Sequence, residues 1–99
     1  MDDNACVLAI QSLSDSHRVG ILASTSTGVV TDDTWKCNRL YQTDWHEPTF
    51  NDAAWSQALV LGANNGSYAD AVTTISPDAK WIWFYDTRYT GIYCRKKLC

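Results

Sequence analysis

The sequence is densest in aromatic residues at Lys80-Trp81-Ile82-Trp83-Phe84-Tyr85, and a second apolar stretch follows at Gly91-Ile92-Tyr93-Cys94-Arg95-Lys96. Successive side chains of an extended strand point to opposite faces, and in the first stretch both alternating sets are apolar. This pattern predicts a strand that is covered on both sides, as in the centre of a β-sandwich. Because residues 86–91 between the two stretches are turn-prone and end in glycine, we expect the pair to form a hairpin.

The other apolar stretches are short and are separated by turn-forming residues. Continuous apolar runs of this length predict buried strands rather than helices. They lie at residues 5–10, 19–23, 29–30, 34–38, 58–61 and 72–75. We expect the first two to pair, and Trp35 and Cys37 to share one face. With no repeat and no helical period, the prediction is an all-β chain: one domain over residues 1–99, a small antiparallel β-sandwich with reduced up-and-down sheets.

Residues 40–54 have no strand or helix period. Glu47-Pro48 argues against a central strand, and aromatic residues such as Trp45 and Phe50 punctuate a polar segment. Loops of this length are usually functional or are pinned to the rest of the fold. Within this region, Asn51 or Asp52 is expected to cap a short turn at residues 53–55, and Asp52 is expected to do so rather than to contact a sugar, because aspartate serves well at N-caps.

Four cysteines are widely separated and form no Cys-x-x-Cys pair, which disfavours structural zinc. An even number in a small domain predicts two disulfides and an oxidising, extracellular compartment. Four cysteines allow three connectivities; we favour Cys37–Cys94, joining two aromatic strands, and Cys6–Cys99, joining the chain ends. Residues 1–4 are acidic and show no signal peptide, so a cytosolic protein with reduced cysteines stays an alternative.

The net charge is −3 and the pI is about 5, which argues against nucleic-acid binding. No apolar run is long enough to span a membrane. The basic residues 95–97 are expected to form a solvated strand end. The only histidines, His17 and His46, lie near no nucleophile motif, so we expect no enzyme activity, and no calcium loop or other metal or cofactor signature is visible.

Several spaced motifs form a frame: Trp35-Lys36-Cys37, then Trp45, then Phe50-Asn51-Asp52-Ala53-Ala54-Trp55-Ser56-Gln57-Ala58, then Ala79-Lys80-Trp81-Ile82-Trp83, then Tyr93-Cys94-Arg95. This frame covers about two-thirds of the chain. It resembles galactose-binding-like β-sandwich modules of secreted proteins, and more narrowly the small secreted haemagglutinins of slime moulds, lectins with a legume-lectin-like sandwich. The resemblance implies glycan binding and haemagglutination. Such modules usually carry further strands before the one at residues 6–10, so no ligand residue is transferred from them.

Sugar recognition needs a flat aromatic face for the pyranose ring and fixed polar groups for its hydroxyls. Two clusters offer both. The candidate carbohydrate-binding residues are Asp44, Trp45 and His46 in the long loop and Asp86, Arg88 and Tyr89 in the predicted hairpin turn. The alternatives are that Trp45 plugs the end of the sandwich and that residues 86–89 are only a solvated turn. Asn65-Gly66-Ser67 is a glycosylation sequon within a turn, so Asn65 is a candidate modification site.

The sequence thus predicts a secreted, disulfide-linked lectin that binds glycans of cell-surface or secreted glycoproteins without chemistry. Agglutination needs at least two sites per particle, hence a homo-oligomer or more than one site per chain. A structural adhesion module that acts through protein contacts is the main alternative. An accessory fragment of a glycosidase, which would bind oligosaccharide without agglutination, is another.

Overall fold

The computed structural model describes residues 6–13 and 19–98 of the chain. Within these residues the fold is all-β and contains no helix, as predicted. Six strands follow one another in the chain. They are β1 (Val7–Leu13), β2 (Lys36–Asn38), β3 (Ser56–Gln57), β4 (Leu59–Ala63), β5 (Lys80–Trp83) and β6 (Gly91–Lys97). All strand pairs are antiparallel.

The larger sheet has four strands in the order β1-β6-β2-β3. The long strands β1 and β6 pair along their whole length, from Val7 opposite Lys97 to Leu13 opposite Gly91. The first and last strands of the chain are therefore neighbours, and the predicted up-and-down order is wrong. The expected pairing of residues 5–10 with residues 19–23 is also wrong, because β1 pairs with β6 and Ile21 pairs with Ile82 of β5 instead.

The smaller sheet consists of β4 and β5, with an irregularity in β4 between Val60 and Gly62. On the other side of β5, Ile21 and Ile82 exchange two backbone hydrogen bonds of 2.9 and 3.0 Å. Thus β5 has a backbone neighbour along both of its edges. The predicted hairpin of residues 80–85 with residues 91–96 is wrong, since β5 and β6 belong to different sheets.

One apolar core takes buried side chains from both sheets. Ile82 and Trp83 of the smaller sheet and Ile92 and Cys94 of the larger sheet have no exposed surface. Trp35 and Cys37 are both buried, which confirms that they share a face. The face of the larger sheet that contributes Cys37, Ile92 and Cys94 to this core is its inner face; the opposite face is its outer face.

Cys37 and Cys94 lie directly opposite each other on β2 and β6 and form a disulfide, as predicted. Their Cα atoms are 4.1 Å apart, and both side chains are completely buried. The other predicted disulfide, Cys6–Cys99, involves a residue outside the described ones and stays a prediction. The disulfide that is seen fixes the register of β2 against β6, and this register positions the candidate site.

Candidate functional site

The long loop after β2 packs on the outer face of the larger sheet. Trp45 stacks on Trp55 with ring centroids 6.2 Å apart, and its edge contacts Tyr93 of β6 at 5.1 Å. The side chain of Trp45 is only 9 % exposed. Since its ring faces neighbouring aromatic residues, the geometry favours a structural role for Trp45 over stacking on a sugar.

A buried arginine holds the same loop. Arg95 of β6 is 1 % exposed, its guanidinium forms an ion pair with the Asp52 carboxylate, and Nη2 donates to the Glu47 carbonyl oxygen at 2.9 Å. The guanidinium also lies over the Phe50 ring, 5.3 Å from its centroid. The expectation that residues 95–97 form a solvated strand end is therefore wrong for Arg95, because the loop covers this face of the sheet.

The pairing with Arg95 also corrects the expected role of Asp52. Its backbone carbonyl accepts a hydrogen bond from the Trp55 N–H, but its carboxylate points to Arg95 instead of capping the turn. The preceding residue, Asn51, supplies the side-chain acceptor, since its Oδ1 accepts a hydrogen bond from the Ala53 N–H at 3.0 Å. Asp52 thus anchors the loop and is not available to a ligand.

The two polar members of the first candidate cluster are exposed. Asp44 has a left-handed backbone with φ of 63°, which aspartate tolerates better than most residues, and its carboxylate forms no hydrogen bond with a described residue. His46 Nε2 lies 3.3 Å from Glu47 Oε1. Asp44 and His46 are therefore accessible to solvent, whereas Trp45 between them points inward.

The second candidate cluster forms a well-ordered turn between β5 and β6. Arg88 binds the Asp86 carboxylate with two charge-assisted hydrogen bonds, Nε to Oδ1 at 2.9 Å and Nη2 to Oδ2 at 2.7 Å. The Arg88 backbone N–H also donates to Asp86 Oδ1. The indole N–H of the buried Trp83 donates to the Tyr89 carbonyl oxygen at 2.9 Å, so the core holds the turn in place.

These hydrogen bonds change the titration of the turn. Chiefly through its side-chain hydrogen bonds, Arg88 lowers the pKa of Asp86 from its usual 3.8 to about 2, and Asp86 in turn raises the pKa of Arg88. A lowered carboxylate pKa means that the ion pair is complete above about pH 4. It is lost only as the pH falls toward 2, so the turn keeps its charge pattern at any physiological pH.

The register of β2 against β6 brings a further pair of residues to these clusters. Asn38, the last residue of β2, is opposite Tyr93. Just beyond it, the Arg39 guanidinium lies over the Tyr89 ring, 4.8 Å from its centroid, and the Tyr41 ring contacts Tyr93 edge-on at 6.0 Å. Tyr93 also contacts Trp45, so both candidate clusters lie around the beginning of β6.

The result is a surface with exposed tyrosines and an excess of positive charge. We call it the tyrosine–arginine surface; its residues are Arg39, Tyr41, Asp86, Arg88 and Tyr89. Tyr41 is 63 % exposed and Tyr89 37 % exposed. Because the Asp86 carboxylate is neutralised by Arg88, the charge of Arg39 is left over. This arrangement can stack on a sugar ring, donate hydrogen bonds to hydroxyls and attract an acidic group.

Arg39 and Tyr41 are the site residues that sequence reasoning missed. A signal for them was available: once Cys37 is bonded to Cys94, an antiparallel register carries Arg39 and Tyr41 toward the residues just before β6. The predicted disulfide therefore indicated that Arg39 and Tyr41 lie near the beginning of β6, although it did not specify the contact of Arg39 with Tyr89.

The sequon residue Asn65 is exposed in the turn after β4. Its Oδ1 accepts a hydrogen bond from the Ser67 N–H at 3.0 Å, and Gly66 adopts a positive φ of 91° that suits glycine. The preceding Asn64 is buried and fixes the following loop by binding backbone groups of Val72, Ile75 and Ser76. In the described part of the chain, no group of three histidine, cysteine, aspartate or glutamate residues could hold a metal ion.

The chain was compared with protein-family models, curated proteins and solved structures, and none of these comparisons gave a match.

Proposed function

We propose that the chain is a lectin that binds glycans of cell-surface or secreted glycoproteins through the tyrosine–arginine surface, without catalysis. The observation that carries this proposal is the turn at residues 86–89, in which Trp83 holds the Tyr89 carbonyl group and the partly exposed Tyr89 ring lies under the Arg39 guanidinium. Sugar recognition needs this combination of an aromatic face and fixed polar groups. Hydrogen bonds hold the turn without a ligand, which lowers the conformational entropy that binding would cost.

Each residue of the surface has a part in this binding mode. The exposed ring of Tyr41 offers an apolar face to the C–H groups of a pyranose, and Tyr89 adds a second ring and a hydroxyl. Arg39 and the exposed side chain of Arg88 donate hydrogen bonds to hydroxyl groups. Asp44 and His46 in the neighbouring loop extend the polar rim. Within the tyrosine–arginine surface itself the charge of Arg39 is unpaired, so an acidic glycan that contacts Arg39, away from the Asp44 carboxylate of the neighbouring loop, is the preferred ligand.

The same proposal includes the architecture and the location of the protein. Its two sheets contribute to one core, which supports a reduced lectin-like sandwich. The buried Cys37–Cys94 disulfide supports an oxidising compartment, and hence secretion. In that compartment Asn65 would be accessible for glycosylation. Binding at a shallow surface is weak at each site, so useful avidity requires more than one site per particle.

The alternative is an adhesion module that acts through protein contacts. A specific observation favours it: Leu40, Tyr41 and Tyr85 are each more than half exposed, and all three adjoin the residues of the tyrosine–arginine surface in the chain. Exposed apolar groups rimmed by charges are typical of protein interfaces as well as sugar sites.

A glycan-array screen of the oxidised protein and of Tyr89→Ala tests the proposal. We expect the wild type to bind a coherent set of glycans, enriched in acidic ones, and Tyr89→Ala to lose about tenfold in affinity, as expected for one aromatic contact. The melting temperature should change little because Tyr89 is partly exposed. Tyr89→Phe is the matched control and should retain most of the binding, since it keeps the ring.

Two results would count against a lectin. A blank array from a folded wild-type sample favours the adhesion module. So does equal binding by wild type and Tyr89→Ala, because the ligand would then lie elsewhere. Trp45→Ala is not a useful probe, since removal of a buried indole destabilises the loop whether or not sugar binds.

A further inference from the structure

The edge of β1 that faces away from β6 is an unusual feature of the larger sheet. One side of β1 pairs with β6, and on the other side no described strand lies beside it. The backbone hydrogen bond from the Leu98 N–H to the Cys6 carbonyl oxygen, at 2.6 Å, shows which residues face β6. In an antiparallel pair alternate residues bond to the same neighbour. The backbone groups of the even-numbered residues of β1 therefore form hydrogen bonds with β6. The N–H and C=O groups of the odd-numbered residues point away from β6, in the plane of the sheet; these residues are Val7, Ala9, Gln11 and Leu13.

This edge lacks the features that normally keep edge strands apart. Soluble proteins protect such edges with lysines, prolines, bulges or very short strands. The sequence of β1 is Val7-Leu8-Ala9-Ile10-Gln11-Ser12-Leu13, which has no charge and no proline, and its register with β6 has no irregularity. Leu13 is 84 % exposed, the most exposed large apolar side chain of the described residues. Such an edge is a template for one more strand.

We propose that β1 pairs with β1 of a second copy of this chain, antiparallel and about a two-fold axis at Ile10, to form a dimer with a continuous eight-stranded sheet. In this register Val7 lies opposite Leu13 of the other copy, Ala9 opposite Gln11, and Ile10 opposite itself. The N–H and C=O groups of each copy that point away from β6 then form hydrogen bonds with those of the other copy. The inner faces of the two copies then lie on the same side of the eight-stranded sheet. A shift of the register by one residue would not allow this.

The inner face of the sheet beside β1 also suits a second copy of the chain. An apolar pocket of about 160 Å³ lies between β1 and the segment at residues 23–29, and Leu8, Ile10, Val29 and Trp35 are among the residues that line it. The second copy of Ile10 would come to the inner face next to Ile10, where it borders this pocket. Leu13, now exposed, would gain Val7 of the other copy as a neighbour.

Self-pairing is favoured over capture of an unrelated strand because β1 is complementary to itself. At the two-fold axis residue 10 meets its own copy, so a charge at that position would face a like charge, and the other residue pairs each occur twice. The uncharged β1 avoids this penalty, while its apolar ends meet each other. The interface is small, so the dimer should dissociate at low concentration.

Sedimentation equilibrium of the oxidised protein over a range of concentrations, with a pair of double variants, tests the dimer and its register. Ala9→Lys/Gln11→Lys places lysine opposite lysine twice, and Ala9→Glu/Gln11→Lys places glutamate opposite lysine twice. Both positions are exposed. We expect a wild-type dimer, a dissociation constant about tenfold or more higher for the first variant than for the second, and unchanged tryptophan fluorescence in the dilute monomers.

A wild type that is monomeric at all accessible concentrations would overturn the proposal. So would equal association of the two variants, since the dimer would then use another surface or register. Neither result bears on glycan binding, which the array measures on the separate tyrosine–arginine surface.

Discussion

At the scale of single residues, Arg95 shows how far a local pattern can mislead. In the sequence it begins a basic tripeptide that resembles a solvated strand end. In the fold it is one of the largest completely buried side chains, and it binds Asp52 and the Glu47 carbonyl group. The two lysines that follow are partly or fully exposed. Arg95 is buried because a loop that is distant in the sequence covers it. The residues next to Arg95 in the sequence carry no information about that loop.

Removal of the Asp52 carboxylate should therefore destabilise the chain. Asp52→Ala leaves a buried guanidinium without its counter-ion, which costs about 3 kcal/mol at an enclosed site. Because Asp52 is itself partly exposed, we expect a loss of about 2 kcal/mol in the free energy of unfolding, measured by urea denaturation. Asp32→Ala, at a second half-buried aspartate that binds only Thr34, is the control and should cost less than half as much. Equal losses would contradict an anchoring role for Arg95.

At the scale of strands, β2 pairs with β6 although it has only three residues. A strand this short gains little from its backbone hydrogen bonds. The disulfide between Cys37 and Cys94 holds it in register and thereby sets the contacts of Arg39 and Tyr41 with the β6 region.

Removal of this disulfide should be costly, because it closes a loop with a sequence separation of 57 residues. We expect Cys37→Ala/Cys94→Val, which nearly preserves the buried volume, to lower the free energy of unfolding by about 4 kcal/mol, chiefly through the greater entropy of the unfolded chain. Chemical denaturation of the variant and of the oxidised wild type measures this. A loss below about 1 kcal/mol would mean that packing alone fixes the register.

At the scale of the whole molecule, the proposed dimer and the proposed binding surface are geometrically related. The tyrosine–arginine surface lies around the beginning of β6, and Gly91 there is opposite Leu13 at the end of β1. Antiparallel pairing of two β1 strands puts these ends at opposite ends of the new strand pair. The two glycan sites of a dimer would therefore lie at opposite ends of the strand pair, which leaves each site accessible to a separate particle.

Agglutination should accordingly depend on both surfaces, whereas glycan binding should depend on one. We expect Ala9→Lys/Gln11→Lys to bind glycans on an array but to agglutinate glycan-coated beads weakly, and Ala9→Glu/Gln11→Lys to agglutinate them as the wild type does. Tyr89→Ala should fail in both assays. If a monomeric variant still agglutinated beads, each chain would have to carry more than one site.

The all-β class and the shared buried face of Trp35 and Cys37 follow from the sequence, because period-two alternation and turn residues are local signals. The Cys37–Cys94 pair was one of three possible connectivities until the fold placed β2 beside β6. The fold likewise decided that β1 lies beside β6, that Arg95 is buried, and that Arg39 meets Tyr89. Alternation specifies which face of a strand is apolar, but it does not specify which other strand pairs with it. The choice of neighbour is made by long-range packing, and that choice placed the candidate site.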